Sequence, residues 1–96
     1  MAAYIIVDVD VQDQERYAKD YLPGVPATVQ QFGGRFLVRG GKFEILEGEW
    51  QPRRLVVLEF PDAEKAKAWW SSEEYGPLKT IRQETAKTNM VLVEGA

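Results

Sequence analysis

Apolar positions alternate at the start of the chain and then change period. Over residues 4–11, Ile5, Val7, Val9 and Val11 fall on one parity and Tyr4, Ile6, Asp8 and Asp10 on the other, which predicts a first strand. Residues 12–32 turn helical. Tyr17 and Tyr21 lie one turn apart, and Leu22, Val25, Val29 and Phe32 keep the spacing of a buried stripe. Pro23-Gly24 interrupts that stripe, because proline removes a ladder donor and clashes with the turn before it. The pattern therefore predicts two helical pieces with a break near residues 22–25, the second opened by Pro26 and stopped by Gly33-Gly34.

A second strand is expected over residues 35–46, with Gly40-Gly41 marking a bulge, a bend or a close backbone approach inside it. Residues 48–52 make a turn with Trp50 at its tip, and residues 53–60 form a third strand closed by Pro61. Asp62 suits the N-cap of a helix over residues 63–70, since its carboxylate accepts from the free N–H groups of the first turn. Ser71-Ser72 breaks that helix, and a second short piece follows over about residues 77–86. Residues 89–94 form the last strand.

The order is β-α-β-β-α-β, the split βαβ pattern of an α+β ferredoxin-like sandwich with an antiparallel sheet. One sheet face packs on the helices. The other would expose Ile6, Leu37, Leu55, Val57, Val91 and Val93, a patch that a soluble monomer rarely shows. A two-fold homodimer, with the two sheets facing each other as a shared α/β barrel, solves this economically.

At 96 residues the chain is read as a single domain, residues 1–96, near the lower limit for a self-sufficient core. Twelve basic and fifteen acidic residues leave a net charge of −3 with no basic run, which argues against nucleic acid and anionic membranes as partners. No apolar run approaches the roughly 20 residues that cross a bilayer. No signal peptide is visible, so a cytoplasmic location is expected. Cysteine and histidine are both absent. Their absence removes the thiol nucleophile, the thiolate metal site, the commonest general base and the commonest zinc ligand. No metal and no cofactor is expected.

The run VPATVQQFGGRFLVRGG, followed by EGEWQPRRLVVLEFPDAEKAKAWWSSEEYGPLKTIRQETAKTNMVLVEG, resembles domain of unknown function 1330, within the dimeric α/β-barrel superfamily. The likeness spans nearly the whole chain. It implies a ferredoxin-like subunit and a homodimer with a barrel between the sheets. It implies no activity, because the family is uncharacterised. Relatives in the superfamily include small monooxygenases, haem-binding enzymes and muconolactone isomerase-like proteins, which typically use a pocket between sheet and helices. Their catalytic histidines have no counterpart here.

Strand parity also sorts the polar residues. With Ile5, Val7, Phe36, Val38, Val56, Leu58, Met90 and Leu92 toward the helices, Tyr4, Asp8, Arg35, Arg39, Glu59 and Asn89 share the other face. Arginine is a planar fork suited to a carboxylate, either a ligand's or that of Glu59. The functional reading is a cleft for a small carboxylate or carbonyl compound. Arg35 or Arg39 anchors the ligand, Glu59 or Asp8 acts as a base raised by burial, and Tyr21 joins Glu59 as a candidate catalytic group. Tyr17, Trp50, Trp69 and Tyr75 would wall the site. The alternative is a non-catalytic dimer whose arginine–glutamate pair serves assembly, with Trp50 covered by the partner and the tyrosines packed in the core. The glycine pairs form no phosphate loop.

Overall fold

The computed structural model describes all of residues 1–96. Strand β1 (Ala3–Val11) is followed by a short helix α1 (Gln14–Arg16), a π-helical turn (Tyr17–Tyr21), a 3-10 turn (Leu22–Gly24) and helix α2 (Val25–Gln31). Strands β2 (Arg35–Arg39) and β3 (Leu55–Phe60) come next, then α3 (Ala63–Trp70), α4 (Gly76–Thr85) and β4 (Ala86–Glu94). All strand pairs are antiparallel, in the order β2-β3-β1-β4. This is the α+β ferredoxin-like arrangement expected from the sequence, with the helices on one face of the sheet.

The core lies between that face and the helices. Ile5, Val7, Val9, Leu58 and Phe60 meet Tyr17, Tyr21, Val25, Val29, Trp69 and Tyr75. Two predicted end signals hold. Asp62 accepts from the Lys65 N–H at 2.8 Å and opens α3. At the end of α2, Gly33 takes φ +78° while its N–H reaches the Gln30 carbonyl and the Gly34 N–H reaches that of Val29. That pair of bonds is a Schellman cap, which needs a left-handed residue at this position.

Three expectations are corrected. The helical run does not break near residues 22–25 but changes pitch. The Leu22 N–H bonds to the Tyr17 carbonyl, five residues back, and the Val25 N–H bonds to Leu22, three back. A wide turn followed by a tight one carries the chain through Pro23 without leaving helical space.

The second strand stops at Arg39 rather than running to residue 46. Gly40 adopts φ +66° and gives its N–H to the Leu55 carbonyl at 2.8 Å. Beyond it, residues 41–46 carry a strand pattern but pair with no strand.

The third correction moves a charge across the sheet. Phe36 pairs with Leu58, yet Val38 pairs with Val57, so Leu37 is an extra residue in a β-bulge. After the bulge the parity of β2 inverts. Val38 joins the open face, and Arg39 sits opposite Val56 on the face toward the helices.

Candidate functional site

The two faces of the sheet divide the predicted site residues between them. On the open face, Tyr4, Glu59 and Arg35 stand opposite one another on β1, β3 and β2. Arg35 Nε lies 2.7 Å from Glu59 Oε1. Hydrogen bonding from Arg35 holds the Glu59 carboxyl below its ordinary range, and bonding to Glu59 pushes the Tyr4 hydroxyl up. A carboxylate held in this way is a poor base. The same face carries Asp8, whose two oxygens accept from Trp50 Nε1 at 2.9 Å and from the Arg53 N–H at 3.0 Å. Trp50 therefore belongs to a staple that ties the 41–54 segment to the sheet, and it walls no pocket shared with Tyr17 and Tyr21.

On the helix face, the wide turn at residues 17–21 directs both tyrosines inward, with their rings 5.0 Å apart. They border a cavity of about 140 Å³ between sheet and helices. Val7, Val56, Leu58 and Met90 form its floor, and Trp69 lies in its wall. Trp69 is held by a bond from Nε1 to Thr28 Oγ1 at 3.0 Å and by the Tyr75 ring at 4.1 Å. Three arginines reach this space: Arg39, with its guanidinium 3.8 Å from the centre of the Phe36 ring, Arg54 and Arg82. No acidic side chain lines it. None of the three arginines takes part in any of the chain's three ion pairs, which are Arg16–Asp20, Arg16–Glu84 and Arg35–Glu59.

Arg82 is only 6% exposed, and its Nε donates to the Tyr75 hydroxyl at 3.2 Å. The Tyr75 and Tyr21 hydroxyls are 2.6 Å apart. Arg54 lies against the backbone of Gly40, where a Cβ would collide with the guanidinium, and its buried Nε has no partner. This close approach and the positive φ explain the glycine at position 40. Burial pushes the Tyr17 hydroxyl up, opposed by the neighbouring Arg54. Burial also pushes up Tyr21, helped by Tyr75. Both are therefore neutral hydroxyls at pH 7, able to donate.

Of the residues singled out from the sequence, the structure gathers Arg39, Tyr17, Tyr21 and Trp69 around the cavity, with Tyr75 immediately behind Tyr21. Arg35, Glu59 and Trp50 are on the opposite face. Sequence reasoning missed Arg54 and Arg82, although a signal for each was present. Arg54 continues the inward parity of Val56, Leu58 and Phe60, and Arg82 falls on the buried stripe of Tyr75, Leu78 and Thr85. Each is a charge on an otherwise apolar face. No group of three or more acidic side chains gathers anywhere to hold a metal ion.

The fold and its neighbours agree on the class: a ferredoxin-like α+β subunit. The chain belongs to the family of domain of unknown function 1330 (DUF1330), whose model matches residues 2–96. Among solved structures it is similar to RPA0582, a protein of unknown function from Rhodopseudomonas palustris, with a TM-score of 0.78 and 15% identity over 99% of this chain and 82% of that one. It is also similar to SnoaB, a cofactor-independent oxygenase from Streptomyces nogalater, with a TM-score of 0.55 and 11% identity over 99% and 93%. An antibiotic biosynthesis monooxygenase matches with a TM-score of 0.54 and 15% identity over 100% and 99%. At these identities the likeness is one of fold. No curated protein matches the sequence. No helix is long and apolar enough to cross a membrane.

Proposed function

We propose that this protein binds or acts on a small carboxylate or carbonyl compound in the helix-side cavity, and that it works as a homodimer. The observation that carries the reading is three guanidinium groups around one cavity with no carboxylate in its lining. Arginine stays charged at any ordinary pH. Arg82 is buried, Arg54 half-buried and Arg39 exposed. A buried cation without a counter-charge costs several kcal/mol, so the Arg82 end of the cavity is suited to receive negative charge from outside the chain. Arg39, Arg54 and Arg82 anchor the ligand, Tyr17 and Tyr21 donate to its oxygens, and Trp69 packs on its apolar body. Glu59, Arg35 and Trp50 fall outside this set.

The homodimer is supported by the open face, where Leu37, Val38, Val91 and Val93 are between 40% and 58% exposed. A compact monomer of 10.9 kDa is expected to expose roughly 5,600 Å². This chain exposes 6403 Å². The same apolar face favours a second reading, a non-catalytic dimer whose Arg35–Glu59 pair serves assembly.

A thermal-shift screen of small carboxylic acids and carbonyl compounds separates the two readings. A true ligand at a hundredfold excess over its dissociation constant stabilises the fold by about 2.7 kcal/mol. Stabilisation that disappears in Arg39→Ala supports the cavity. A screen without stabilisers leaves only the assembly reading standing.

A further inference from the structure

The hydrogen bonds behind the cavity have a direction. Arg82 Nε can only donate, so Tyr75 Oη accepts from it at 3.2 Å. Tyr75 is fully buried, and the acceptor within reach of its proton is Tyr21 Oη at 2.6 Å. The reverse order would leave the Tyr75 proton without an acceptor in a dry site, which costs about 1–3 kcal/mol. The chain therefore runs Arg82 to Tyr75 to Tyr21, and the Tyr21 proton is left for the cavity that Tyr21 borders. Every charged or titratable side chain facing that space is then a cation or a neutral hydroxyl: Arg39 from β2, Arg54 ahead of β3, Arg82 from α4, and Tyr17 and Tyr21 from the wide turn. No side chain there can hold a proton taken from a ligand.

We infer that the cavity binds a single-ring phenol or enol as its oxyanion, with the ligand oxygen accepting from Tyr21 in a field of three arginines. This rests on the arginine-lined cavity of the proposed function and deepens its carbonyl branch, an enol being the tautomer of a carbonyl compound and a phenol its aromatic counterpart. Size sets the ring count, since an apolar cavity of about 150 Å³ holds one benzene and this one measures about 140 Å³. On binding, the ligand O–H bond breaks, its electron pair stays on the ligand oxygen, and the proton passes to the solvent. Nothing is oxidised or reduced. Tyr75 and Arg82 are positioning residues for the Tyr21 proton.

The test uses 4-nitrophenol, whose phenol and phenolate forms differ in visible absorbance, titrated into the intact protein at a pH below the probe's free pKa, with benzoate titrated alongside. The expected result is a bound probe in its phenolate form, and in Tyr21→Phe an acidity of the bound probe lower by about tenfold or more, as for loss of a hydrogen bond to a charged group. Tyr75→Phe, which keeps the ring packing, is expected to lower it by less. A probe that binds in its neutral form overturns the inference, and so does a bound phenolate whose acidity Tyr21→Phe leaves unchanged. Binding of benzoate but not of 4-nitrophenol overturns it while leaving the arginine cavity standing. Failure of both probes overturns it together with the arginine anchor for a ring-sized anion.

Discussion

Arg35 and Arg39 are four residues apart on one short strand, and the sheet puts them in opposite circumstances. Arg35 stands on the open face with Glu59 2.7 Å away and Tyr4 beside that carboxylate. Arg39 stands on the helix face beside Arg54, Arg82 and two buried tyrosines, and no acid shares that space. Both clusters set arginine beside tyrosine. They differ in whether the chain supplies the counter-charge. Where it does, the result is a cross-strand pair that shields its own donors. Where it does not, no carboxylate answers the charge, and at buried Arg82 the desolvation cost is offset only when an anion arrives. The lesson is to look for function where a charge is buried without its partner.

This contrast is sharpest at Arg82, the most buried of the arginines. Arg82→Met is predicted to abolish binding of carboxylate or phenolate ligands, a loss of about 2–5 kcal/mol read by calorimetry. The same variant, without ligand, is predicted to melt later than the parent, by about 1 kcal/mol of stability, because a similar-sized apolar chain replaces an unpaired cation. Opposite signs for binding and stability would mark a functional charge. Arg39→Ala comes next, with affinity lowered roughly tenfold to a hundredfold, as expected for one charge-assisted hydrogen bond, and with the sedimentation coefficient unchanged from the parent.

Deleting Leu37 probes how Arg39 reaches the cavity. The deletion removes the extra residue of the bulge, so Phe36 stays opposite Leu58 and Arg39 stays opposite Val56. Ligand affinity is therefore predicted to survive within a few-fold, an unusual tolerance for a deletion inside a strand. Loss of binding in a folded deletion variant would mean that the bulge shapes the site in some further way.

The smallest effect concerns Arg35→Ala, which is predicted to leave ligand affinity unchanged. Its signature is pH dependence. Glu59 has a lowered pKa in the folded protein, so its contribution to stability is present above the unfolded carboxylate value and is lost as pH falls through the folded one. Melting curves from neutral pH into the acid range should show this component in the parent and a weaker one in Arg35→Ala. Both groups of this pair meet solvent, so the difference is small.

Much of this architecture was readable in the residues. The alternation of Ile5, Val7 and Val9, the Gly33-Gly34 stop and the Asp62 cap each depend on nearest neighbours, and each holds. The bulge did not declare itself, because Phe36, Leu37 and Val38 are all apolar and fit either face equally. Counting by twos through that stretch carried Arg39 to the wrong side and paired it with Glu59. Residues 41–46 illustrate a second limit, since a strand pattern becomes a strand only beside a partner strand, and β3 begins too late to supply one. The pitch change at Tyr17–Tyr21 depends on how the chain passes Pro23, and composition alone does not dictate which turn widens. Arg54 and Arg82 were visible as charges on inward stripes. Weighing them as buried would have located the cavity from the sequence.

The most direct test of the account is a calorimetric titration of benzoate into the parent protein, Arg39→Ala and Arg35→Ala, run side by side under one buffer and salt condition. The account predicts binding to the parent and to Arg35→Ala with equal affinity, and loss of at least tenfold in Arg39→Ala. Equal affinity in all three proteins, or loss in Arg35→Ala alone, would contradict it and return the site to the open face of the sheet.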